Sequence, residues 1–154
     1  MKLRVLASAS LLGFLLMPVA HAQLLSGLTA KIPFEFRIGD KTHAAGEYII
    51  GQSKVGTQVL AIRNMDRKSG TTMFIANRLQ ARSTANVHNA RLVFHRYGPT
   101  YFLSQVWEAN GVGVGHQITQ SKAERAVAHQ MASLRKHDTV EIALASFHGQ
   151  NGTN

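Results

Sequence analysis

The chain has 154 residues, 17 Lys and Arg against 8 Asp and Glu, and a formal net charge of +9 with its histidines neutral. It contains no cysteine, which excludes disulfides, thiolate metal sites and a cysteine nucleophile, so the fold must hold by packing. The length fits one domain with a substantial core, and the basic excess favours polyanionic surroundings through an attraction that salt screens.

Lys2 and Arg4 open the chain, an apolar run extends from Val5 to Met17, Pro18 breaks it, and Ala20-His21-Ala22 puts small residues where signal peptidase requires them. This pattern predicts a secretory signal peptide over 1–22, cleaved before Gln23. The run is shorter than the roughly 20 apolar residues of a spanning helix, so no retained anchor is expected. With no cysteine for a lipid and no arginine pair, the expected product is soluble and exported, periplasmic or extracellular. Loss of Lys2 and Arg4 takes the 17 basic side chains to 15 against 8 acidic ones, a charge of +7. The basic residues are scattered and form no run of five. Arg37, Arg91 and Arg96, on predicted strands, are the candidates for weak binding of acidic polysaccharide or anionic lipid.

Ile32, Phe34, Phe36 and Ile38 alternate with Lys31, Pro33, Glu35 and Arg37, the period of a half-buried strand. Pro33 cannot donate to a ladder, which predicts an edge position or a strand start. Gly39-Asp40 and the stretch to Gly46 turn the chain into a second strand at Tyr48-Ile49-Ile50. Further strands are predicted at 59–62, 72–76, 92–97 and 101–107, separated by turn-like segments. The clearest hairpin is Arg91–Tyr97 against Tyr101–Trp107 through Gly98-Pro99-Thr100, with a register that the pattern leaves open.

Ser121-Lys122-Ala123-Glu124 matches a capping box, and Ala123, Val127, Met131 and Leu134 give an apolar stripe to about Arg135. Val140, Ile142 and Leu144 predict a last strand. Residues 149–154 have nothing to bury and read as a disordered tail. The expected fold is mainly β, an antiparallel sandwich or small partly open barrel with one C-terminal helix, as a single domain over 23–148.

The segments Ile32-Pro33-Phe34-Glu35-Phe36, Gly39, Lys41, Ala45-Gly46-Glu47-Tyr48, Leu92-Val93-Phe94-His95-Arg96-Tyr97-Gly98, Tyr101-Phe102-Leu103, Trp107 and Ser121-Lys122-Ala123-Glu124-Arg125 occur in order. In this the chain resembles a family of small exported bacterial proteins, acidobacterial in type and of unknown function, over residues 30–130. That family usually has Leu-Pro before Ala-Gly-x-Tyr, where this chain has His43-Ala44. The resemblance implies export but no catalytic residue and no ligand.

His95, Arg96 and Tyr97 are residue types of an acid/base site for an anionic substrate, but alternation puts His95 and Tyr97 on one face and Arg96 on the other. A triad of Ser104, His95 and Glu108 lacks a nucleophile elbow or oxyanion loop. His43, His88, His95, His116, His129, His137 and His148 include no helical zinc pair at four-residue spacing and no carboxylate cluster, so no metal or other cofactor is expected. Gly111-Val112-Gly113-Val114-Gly115 lacks the P-loop lysine and reads as a β-turn. Asn151-Gly152-Thr153 matches a glycosylation acceptor only formally. Tyr97, Tyr101, Phe102 and Trp107 suit either cross-strand core packing or a sugar or lipid pocket.

The binding candidates are therefore His95, Arg96, Tyr97, Tyr101 and Trp107. The sequence favours a non-enzymatic exported domain with a binding or envelope-structural role. The alternative is a small metal-dependent or acid/base hydrolase in which His95 meets distant histidines such as His43 and His116.

Overall fold

A computed structural model describes residues 27–66, 70–81, 89–109, 112–132 and 137–146. The predicted leader over 1–22, the tail over 149–154, and His88 and His148 lie outside these residues. The domain is mainly β, with eleven strands and a single helix among the described residues. The strands are β1 (Leu28–Ile32), β2 (Phe36–Ile38), β3 (Lys41–His43), β4 (Gly46–Gln52), β5 (Val59–Asn64), β6 (Thr72–Gln80), β7 (Arg91–Tyr97), β8 (Thr100–Trp107), β9 (Val114–Ile118), β10 (His137–Ala143) and β11 (Ala145–Ser146). The helix α1 spans Lys122–Ala132.

The main sheet runs β10-β7-β8-β9-β6-β5-β4-β1-β11, with β2 pairing both β3 and β8. Every pairing is antiparallel except β2 with β8, which meet in parallel at Arg37 and Phe102. The two ends of this path, β10 and β11, are separated only by Leu144, whose N–H donates to the Ala90 carbonyl. One C-terminal stretch thus pairs with β7 through β10 and with β1 through β11. The architecture is a strongly curved sheet wrapped around one core, in keeping with a sandwich or partly open barrel.

Side chains at alternate positions fill that core. Ile32, Phe36, Tyr48, Ile50, Leu60, Ile62, Leu92, Phe94 and Leu103 are all essentially inaccessible to solvent. Phe36 anchors the centre, meeting Tyr48 edge-on at 5.2 Å and Phe94 at 5.5 Å. Each such aromatic removes a large apolar area from water, which supplies the main driving force for closing the sheet.

The run 32–38 is two strands, not one. Pro33 lacks an N–H for the ladder, and the chain leaves the sheet there before re-entering at Phe36. Phe34, freed from the sheet, stacks on Tyr101 at a ring distance of 4.0 Å. The glycine-rich stretch is not a β-turn throughout: Val114 and Gly115 belong to β9, and among its described residues Gly113, at a φ of 66°, has the left-handed backbone of a turn. In the β7–β8 hairpin, Val93 pairs with Gln105 but Phe94 with Leu103, so Ser104 is the extra residue of a bulge.

Candidate functional site

Alternation along β7 turns Leu92 and Phe94 into the core and Val93, His95 and Tyr97 outward, beneath α1. The bulge keeps Ser104 and Gln105 on that same outer side. There the side chains form one continuous chain of hydrogen bonds. His95 Nδ1 lies 2.8 Å from Glu124 Oε1, and since a carboxylate only accepts, Nδ1 carries the proton. In the neutral ring Nε2 is then the acceptor, 3.0 Å from the Ser104 hydroxyl. Gln117 Nε2 donates to the Ser104 carbonyl and hydroxyl at 3.1 and 3.2 Å. Gln105 Nε2 donates to Gln117 Oε1, and Trp107 Nε1 to Gln105 Oε1, at 2.9 and 2.8 Å.

Glu124 belongs to this array because of where the helix begins. Ser121 Oγ accepts from the Glu124 N–H at 3.0 Å, which is the first half of the predicted capping box. The Glu124 carboxylate, however, turns to the sheet: it accepts from His95, and more distantly from Tyr97 and Gln120, each at 3.5 Å. Burial, reinforced by the Glu124 carboxylate, holds the Tyr97 hydroxyl pKa above its ordinary 10.0.

These contacts place the residues singled out from the sequence. His95, Tyr97 and Trp107 share the outer side, while Arg96 and Tyr101, paired across the hairpin, take the opposite parity. Arg96 lies over the Tyr101 ring at 5.5 Å, and that ring is also stacked on Phe34. The five candidates therefore do not converge on one site. Trp107 is clamped between the Gly115 backbone and the Arg91 guanidinium, 5.1 Å from the ring centroid, and Arg91 also pairs with Glu141 at 3.4 Å. Its indole is neither core nor an open stacking platform.

The triad considered from the sequence took the wrong carboxylate. Glu108 pairs with His116 at 3.3 Å, and Glu124 is the acid beside His95. The Ser–His–Glu order is that of an acyl-transfer relay, yet Ser104 is only 2% exposed and its hydroxyl already accepts from Gln117. His43, His95 and His116 each have their own surroundings, and among the described residues no three His, Asp or Glu side chains gather as metal ligands.

A second region, absent from the sequence reading, is the cavity of about 440 Å³ lined by Lys41, Thr42, His43, Asn64, Thr71 and Thr72, with Tyr48 at its base. It arises where the core-facing rows turn polar. Leu60 and Ile62 are followed at the next inward position of β5 by Asn64, opposite Tyr48, while Thr72 opposes Ile62. Gly46 makes room for Asn64, because a Cβ there would lie 3.0 Å from Asn64 Nδ2. Asn64 Oδ1 accepts from the Asp66 N–H at 2.8 Å, leaving Nδ2 as a donor. The hairpin β2–β3 supplies the opposite wall, with His43 stacked on Phe36 at 5.2 Å and Nε2 buried without a hydrogen-bond partner among the described residues. Burial, and secondarily the Lys41 charge, keeps the His43 pKa below 6.5. The signal for this site was present: Asn64 continues an apolar period of two with a polar side chain.

Compared with known proteins, the chain matches no family model, no curated protein and no solved structure.

Proposed function

We propose that the protein is a non-enzymatic exported domain that binds a small ligand in the cavity between Lys41 and Thr72, and that it belongs with the small exported bacterial proteins it resembles. The carrying observation is the contrast between two polar regions. Around His95 the polar groups satisfy one another, whereas the open cleft is lined by Lys41, Thr71, Thr72 and Asn64, whose Nδ2 has no hydrogen-bond partner among the described residues. An open cleft with several polar side chains in its lining, at one end of a curved sheet, supports a site for a polar ligand.

Amide NMR spectra of the purified protein, recorded against a panel of small polar compounds, test this reading. Shifts confined to 41–44, 64 and 70–72 are expected with at least one compound, and a panel that leaves these amides unmoved overturns it. Fractionation of the expressing cells should recover the protein outside the cytoplasm. Cytoplasmic recovery of an unprocessed chain overturns export.

The Ser104–His95–Glu124 array gives the hydrolase alternative its one specific support. The burial of Ser104 weighs against it, because a nucleophile must reach a substrate carbonyl. A fluorophosphonate probe discriminates: the expected result is no adduct on Ser104, and an adduct that disappears in Ser104→Ala restores the enzyme.

A further inference from the structure

We propose, building on the cavity reading, that its ligand is a sugar acid: a polyhydroxylated molecule carrying a single carboxylate. The inference follows from the inventory of the walls. Among the described residues Lys41 is the cavity's single permanent charge, no Asp or Glu lines it, and Lys41 makes no ion pair. An exposed ammonium beside a cleft without a counter-charge is complementary to one anionic group, and a carboxylate or similar oxyanion forms the strong charge-assisted contact.

The remaining lining is neutral and can both donate and accept. Thr71 and Thr72 in the lining carry hydroxyls, each able to give one hydrogen bond and take two, and Asn64 Nδ2 is a donor without a partner among the described residues. His43, kept largely uncharged at neutral pH by burial, adds a neutral ring and not a second cation. A simple inorganic anion leaves these groups unmatched, and an apolar acid strips them of water without replacing it, at a cost for each unsatisfied group. A neutral sugar matches the hydroxyls but not Lys41. The ligand that satisfies the whole set has one negative charge and several hydroxyls, and about 440 Å³ accommodates a monosaccharide of that kind.

The test compares glucuronate, glucose and acetate as probes, each titrated into the purified protein and followed by amide NMR. Glucuronate is expected to move residues 41–44, 64 and 70–72 and to bind at least about tenfold more tightly than either glucose or acetate. Lys41 is solvent-exposed, so Lys41→Met should fold normally. In that variant the preference for glucuronate over glucose should vanish, while Lys41→Arg should keep it. Glucose binding in the cavity as tightly as glucuronate overturns the sugar-acid assignment and leaves the binding reading standing. Acetate matching glucuronate also overturns it, since charge alone then suffices. A glucuronate preference that persists in Lys41→Met, or shifts that map elsewhere, overturns the assignment. If none of the three probes moves the cavity residues, the assignment fails, and the wider panel decides the binding reading separately.

Discussion

Glu124 and His95 are 29 positions apart in sequence and 2.8 Å apart in space, and their contact fastens the helix α1 to the outer side of the β7–β8 hairpin. Glu124 is only 4% exposed, and its removal takes from the His95 Nδ1–H and the Tyr97 hydroxyl the acceptor they share. Glu124→Ala should therefore cost about 2–4 kcal/mol in denaturant unfolding. Ser104→Ala should cost about 1 kcal/mol, the net worth of a neutral hydrogen bond. If Glu124→Ala proves no more damaging than Ser104→Ala, the carboxylate is not what secures the helix.

Tyr97 makes the same region sensitive to alkali. Its folded pKa lies above the unfolded value of 10.0, so the stabilisation it contributes is complete below pH 10 and declines as the pH rises toward the folded pKa. Wild type should lose stability above pH 10 more steeply than Tyr97→Phe. Parallel stability curves for the two proteins over that range would show that the hydroxyl is not perturbed.

His43 acts with the opposite sense. Its folded pKa is depressed below 6.5, so its contribution is present above pH 6.5 and is lost as the pH falls through the folded value. In an NMR titration the His43 ring should reach its midpoint below 6.5. Under the same conditions His43→Gln should flatten the acid limb of the stability curve, and a midpoint at or above 6.5 contradicts the burial argument.

Gly115 is required by the indole that lies on it. A Cβ at this position would come within 2.5 Å of the Trp107 ring, closer than any van der Waals contact allows. Gly115→Ala should destabilise by about 1–3 kcal/mol and lift the ring away from Arg91. Trp107 is the single tryptophan, so its fluorescence reports the displacement directly as a red shift. An unchanged emission maximum would mean that the strand yields and the ring does not.

Much of the fold was legible because its strands obey a simple rule. Tyr48–Ile50, Val59–Ile62, Leu92–Tyr97 and Tyr101–Trp107 announce themselves by β-branched and aromatic content between turn residues, and Ser121 marks the helix start. β9 was hidden because the property that makes Gly115 necessary, room for an indole from another strand, is invisible in a local window. The break at Pro33 was half legible: the missing donor is local information, but the stacking of Phe34 on Tyr101 that makes leaving the sheet worthwhile is not.

The sites followed the same division. Alternation alone separated Arg96 from His95 and Tyr97, and it was right. It could not choose between Glu108 and Glu124 as the partner of His95, since that depends on where α1 docks. The cavity is not legible from reactive residue types. Asn64 and Thr72 carry no distinctive chemistry, and they matter only through facing inward where the apolar rows end.

The stretch on either side of Leu144 ties the order of synthesis to the order of folding. Because 137–143 supplies the outer neighbour of β7 and 145–146 that of β1, the sheet's two rims stay unpaired until residues 137–146 have been made. Such distant pairings are slow to form, since the entropy of bringing the ends together is lost before any contact repays it. A chain cut short before residue 137 is thus expected to remain loose enough for a protease to cut, and acquires resistance only once 137–146 are in place.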